Sequence, residues 1–173
     1  GTSSAGSSGD FAITTGNSFS GNGGSISLNV GAGDLDVGGA ITFTAGASSD
    51  NTGGDVILLS GAGSATSSGD ILIETAESGI NGVSGEISLL SGHSHSGSSG
   101  DITLQVGSGT TAQGGSISLI SGESSDSSSG MISLVTANAG TSGASGTLQL
   151  LTGVASGSAA GDIIIASGST TSL

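Results

Sequence analysis

Apolar and polar residues recur along this chain with a period of fifteen. When it is aligned on Gly-x-apolar, copies begin at Gly9, Gly24, Gly39, Gly54, Gly69, Gly85, Gly100, Gly115, Gly130, Gly146 and Gly161. Two single-residue insertions, near Val83 and within 141–145, are the only breaks. Two residues after each Gly stand Phe11, Ile26, Ile41, Val56, Ile71, Ile87, Ile102, Ile117, Ile132, Leu148 and Ile163. Four residues after it stand Ile13, Leu28, Phe43, Leu58, Ile73, Leu89, Leu104, Leu119, Leu134, Leu150 and Ile165. Both columns are apolar throughout. The sixth position is small or β-branched, and Gly usually follows it, as at Gly46 and Gly122. Apolar, any, apolar, any, small is a period-two pattern, which predicts a short strand with one face inward. The Gly ends the strand and opens a turn. The rest of each repeat, such as 94–99 or 124–129, is Ser- and Gly-rich, and such residues are poor helix formers.

One such repeat cannot bury its own Ile and Leu, whereas a stack covers each pair with the pairs above and below. The pattern therefore predicts an all-β fold, a β-solenoid (parallel β-helix) of about eleven coils of 15–16 residues. Its short coil implies a narrow or flattened cross-section, and its handedness is open. Core ladders are expected from Ile26 and Leu28, Ile41 and Phe43, Ile71 and Ile73, Ile102 and Leu104, and Ile117 and Leu119. Residues 1–173 read as a single domain, and a chain that begins and ends within a repeat is expected to be a fragment of a longer repeat protein.

The outward positions change the picture. Ile57, Leu72 and Ile164 lie three places after their Gly, and Leu59, Leu90, Ile120, Val135 and Leu151 lie five places after. Scattered exposed aliphatics are ordinary, but a column of them marks an interaction surface. These eight residues are the expected interaction face, with the partner a second copy or another segment of the same protein, in lateral or end-to-end packing.

Composition narrows the partners. The 173 residues include 36 Gly, 13 Asp or Glu, no Lys, Arg, Pro, Cys, Trp or Tyr, and a formal charge of −13. Without Lys or Arg, binding to nucleic acid or to an anionic membrane surface is not expected. No run of eighteen apolar residues occurs, so no membrane span is expected. Lacking Cys, the chain has no disulfide or thiolate metal site. Lacking Lys and Arg, it also has no trypsin site, which suits an extracellular setting.

Three motifs bear on chemistry. Asp or Glu follows the repeat Gly at Asp10, Asp55, Asp70, Glu86, Asp101 and Asp162. Asp55 and Asp70, in adjacent repeats, are the candidate cation ligands, calcium being the ion such oxygens suit. The column is interrupted by Ser25, Ala40, Ser116, Met131 and Thr147, so no cofactor is assigned. His93 and His95, two positions apart, could bind a metal on one strand face, but no third ligand recurs nearby, Glu123 lying two repeats on and Glu77 one back, and the pair reads first as an exposed loop pair. Thr42-Phe43-Thr44 occurs once; in coil length the chain resembles insect antifreeze β-helices, but it lacks their regular Thr rows. No catalytic residue is assigned and no enzyme is expected. Enzymes of the pectate-lyase-like β-helix type use longer coils and basic catalytic residues. No Asn lies in an N-glycosylation sequon.

Across nearly its whole length the chain resembles the Gly/Ser-rich β-solenoid repeat regions of extracellular adhesins and cell-surface fibres, without matching one family. The resemblance implies an extracellular or cell-surface location and a structural role as a self-associating shaft or fibre module. The alternative is a binding module for ice, calcium or mineral on the same scaffold.

Overall fold

The computed structural model describes residues 1–4 and 6–170. It corrects the expected architecture. Among the described residues there is no strand, no sheet and no helix, so the chain is not an all-β solenoid or a parallel β-helix. It divides into two units, Gly1–Ser88 and Leu89–Leu173. Each is a succession of irregular segments joined by arcs.

Backbone pairing accounts for the difference. Stacked coils need hydrogen bonds between residues one repeat apart, that is, fifteen or sixteen positions. Here the backbone bonds between described residues are local. Gly54 N–H donates to the Gly46 carbonyl (2.9 Å), Gly69 to Gly61 (2.9 Å) and Gly130 to Gly122 (2.8 Å), each across eight positions. Gly82 donates to Gly79 (3.0 Å) and Gly143 to Gly140 (3.4 Å), and these two turns hold the single-residue insertions. A folded domain makes about one internal hydrogen bond per residue. Five backbone bonds over the described chain fall far below that, and no ladder forms.

Three junctions thus close as local arcs, and no ladder of bonds joins one repeat to the next. The closing arc runs from the Gly after the sixth position to the first Gly of the following repeat. In Gly1–Ser88 such arcs span 46–54 and 61–69, and in Leu89–Leu173 one spans 122–130. Four arcs carry a Ser lock, two of them (46–54 and 122–130) in addition to the backbone bond: a Ser hydroxyl accepts from the amide three residues on. Ser18 Oγ takes Gly21 N–H (3.0 Å), Ser48 takes Asn51 (3.0 Å), Ser94 takes Gly97 (3.0 Å) and Ser124 takes Ser127 (2.9 Å). This local bond is the one by which Ser favours turns over regular structure. Gly33, Gly63 and Gly109 occupy the same place in other arcs. At Gly109 a β-carbon would stand 2.5 Å from the Ala112 carbonyl oxygen, so only Gly fits that turn.

The period-two alternation survives without the sheet. The ten ladder residues named above are 49–72 % exposed, and the eight outer-face residues are 78–90 % exposed. In the repeat from Gly24, Asn29 Nδ2 donates to Ser27 Oγ (3.1 Å), which puts the third and fifth positions on one side. The ladder side is sheltered but forms no core: no described residue is buried. Phe11 in the first repeat and Ile165 in the last are 89 % and 86 % exposed, whereas Ile13 and Ile163 of the same repeats are 58 % and 53 % exposed.

Surface area measures what is missing. The chain exposes 17098 Å². A compact protein of 15.8 kDa exposes about 7,300 Å² and its unfolded chain about 22,900 Å². This chain lies nearer the unfolded figure, which locates the conflict between pattern and structure. The aliphatic columns are regular, but a single copy does not cover them.

Candidate functional site

The eight outer-face residues are strongly exposed in both units. Ile57, Leu59 and Leu72 belong to Gly1–Ser88. Leu90, Ile120, Val135, Leu151 and Ile164 belong to Leu89–Leu173. Glu74 is the one charged residue in the third and fifth columns of all the repeats. Carboxylates collect instead on the position after the repeat Gly and in the arcs, as at Asp34, Asp36, Asp50, Glu123 and Asp126. Desolvating the outer columns therefore costs almost no charge burial, which is the condition for an apolar contact to be favourable.

The arcs hold the best-covered residues. Ala45, Ser60 and Ser121 are half-buried, and each sits six places after its Gly, beneath one of the three hydrogen-bonded arcs. The fourth half-buried residue is Ser94, which lies between the two histidines. These sheltered points are small and polar or nearly so, while the large aliphatic side chains stay in water. That distribution inverts the usual one.

Asp55 and Asp70 belong to no gathering of three or more metal-binding side chains; none exists among the described residues. Neither residue forms an ion pair or a side-chain hydrogen bond; the carboxylate hydrogen bonds among the described residues are local to the arcs. Asp36 Oδ1 accepts from Val37 N–H (2.8 Å), and Asp50 Oδ2 accepts from Ser49 Oγ (3.2 Å). Glu77 and Glu123 likewise do not gather with the histidines. His93 and His95 do meet each other. Their ring centres are 5.3 Å apart at an angle of 88°, edge to face. The Ser94 Oγ bond to Gly97 N–H, at 3.0 Å, pins the turn that carries them.

No cavity or cleft forms among the described residues, and no described helix is long and apolar enough to cross a membrane. Two features escaped the sequence reading. One is closure of the arcs by Gly-to-Gly backbone bonds. The other is the Ser column that locks them, whose signal was present in the shared register of Ser18, Ser48, Ser94 and Ser124. No protein-family model, no curated protein and no solved structure matches this chain.

Proposed function

We propose that this protein is a structural element that works by associating with further copies of itself, as part of an extracellular or cell-surface fibre. The observation that carries the reading is the exposure of the apolar columns, with the outer-face residues at 78–90 % and no described residue buried. Compared with a compact protein of its mass, the chain leaves roughly 10,000 Å² uncovered, several times the 1,200–2,000 Å² of an ordinary protein interface. The backbone points the same way. Most amide and carbonyl groups of the apolar segments have no protein partner, and such groups are templates for another chain.

A second copy is the partner that fits. Its apolar columns carry the same fifteen-residue spacing, so the two sets stay in register along their length. It also presents the same open backbone, and it lacks Lys and Arg, so no unmatched cation is buried on contact.

Sedimentation velocity across a range of concentrations, with electron microscopy of the same samples, tests this reading. Concentration-dependent oligomers or filaments are expected. Replacing Leu90 and Leu151 together by Asp should raise the concentration needed for association by about tenfold or more, since each buried Leu contributes about 1.5–3 kcal/mol. A chain that stays monomeric at all concentrations, or variants that associate like the parent, would refute it.

A further inference from the structure

We propose that His93 and His95 form a two-imidazole chelate for a zinc-like divalent ion, and that the same pair on a second copy completes the ion's coordination. The chelation stands on its own geometry; the bridge between copies rests on the self-association reading.

The ring spacing carries the argument. A tetrahedral ion about 2.1 Å from one nitrogen of each of two imidazoles places their ring centres about 5.2 Å apart. His93 and His95 hold theirs at 5.3 Å. This spacing follows from the local backbone, because Ser94 between them is half-buried and its Oγ accepts from Gly97 N–H at 3.0 Å. Both histidines are exposed, so rotation about χ2 can turn their nitrogen edges toward a shared point without displacing other groups. The Ser94 bond leaves little backbone freedom in this turn to be lost on binding.

The surroundings select the ion. Imidazole nitrogen suits zinc, copper and nickel rather than calcium. The chain has no Cys, so apart from the Met131 thioether these histidines are its only soft or borderline ligands. A formal charge of −13 with no Lys or Arg concentrates divalent cations near the surface. No third His, Asp or Glu gathers at the pair, which leaves two tetrahedral positions open. A two-fold related copy supplies two more imidazoles with identical spacing, and two-fold pairing is the commonest symmetry of homo-oligomers.

The test adds zinc chloride to the metal-free chain, held below the concentration at which it self-associates, in a non-coordinating buffer, followed by calorimetry and sedimentation. One ion per two chains is expected, with a doubling of mass that EDTA reverses. His93→Ala and His95→Ala should each weaken zinc binding by at least the order of tenfold that loss of an outer-shell partner costs elsewhere. Asp55→Asn and Asp70→Asn should leave it unchanged. Zinc affinity insensitive to both histidine substitutions overturns the chelate. One ion per chain with no change of mass overturns the bridge. Metal-free His93→Ala chains still associate through the apolar columns if the structural reading holds, so the two ideas fail separately.

Discussion

Where the sixth residue of a repeat is Ala45, Ser60 or Ser121, the following arc closes with a Gly-to-Gly hydrogen bond. Where it is Val30, Val106, Thr75, Thr136 or Thr152, no such bond forms. At Val30, Val106 and Thr75 the cause is steric, whereas Thr136 and Thr152 leave gaps of 3.7 and 3.9 Å that sterics do not explain. A β-carbon on Gly39 would stand 2.5 Å from Val30 Cγ1, so the branched side chain already fills the space between the arc's two ends. At Gly54 the corresponding gap to Ala45 Cβ is 3.6 Å, and the amide reaches its carbonyl. In the first full repeat the Thr15 hydroxyl substitutes for the backbone and donates to the Gly24 carbonyl at 3.3 Å. Ser91 is the small residue without a bond, and there the gap to Gly100 widens to 4.0 Å. Two reciprocal changes follow. Ala45→Val should remove the Gly54 bond, and Val30→Ala should allow Gly39 to bond to Gly31. Amide exchange by NMR would show Gly54 exchanging about fivefold faster in the first variant and Gly39 slowing by a similar factor in the second, as suits a bond contributing about 1 kcal/mol.

At the scale of the element, the arc is the unit that the isolated chain builds. Its locks are separable: a backbone bond at its mouth and a Ser hydroxyl inside it. The 46–54 and 122–130 arcs have both, with Ser48 and Ser124 accepting from Asn51 and Ser127. Ser124→Ala should speed exchange at Ser127 severalfold while Gly130 changes less, because the inner bond is exposed and contributes at the low end of about 0.5–1.5 kcal/mol. Much of this element was legible beforehand. The Gly after the sixth position does open a turn, and the alternation does separate Ile26 and Leu28 from the outer side. The exposure of the eight outer residues was also legible, because an aliphatic at a position that alternation turns outward stands out against Ser and Gly. The sheet was read wrongly for a definite reason. Periodicity states which side chains belong together, but not whether one chain brings them together. Leu104 and Leu119 share a column, yet they remain 67 % and 62 % exposed without backbone pairing between their repeats. The meeting of His93 and His95 was visible as a spacing, whereas its 5.3 Å geometry depends on the Ser94 lock, which spacing alone does not specify.

For the whole molecule, two opposed terms decide between the single chain and the assembly. Uncovered apolar surface favours association, and 13 carboxylates without one fixed cation oppose it. The second term is screened, with a Debye length of about 30 Å at 0.01 M salt and about 3 Å at 1 M. All the carboxylates but Glu74 lie in the arcs and beside the repeat Gly, off the outer columns, so contact between columns leaves them hydrated and within reach of screening ions. Salt should therefore drive assembly. Light scattering at fixed protein concentration should show little association at 0.01 M sodium chloride and extensive association at 1 M. Sodium sulfate at equal ionic strength should act more strongly, because sulfate also strengthens apolar burial. Replacing several arc carboxylates by amides, for example Asp34→Asn, Asp36→Asn and Asp126→Asn together, should move the transition to lower salt while leaving the apolar columns intact. Assembly that weakens as salt rises would mean that charged contacts, not aliphatic ones, hold the copies together. Since a chain without Lys or Arg cannot supply the positive side of such contacts, that outcome would place a cationic partner or metal ion at the centre of its assembly.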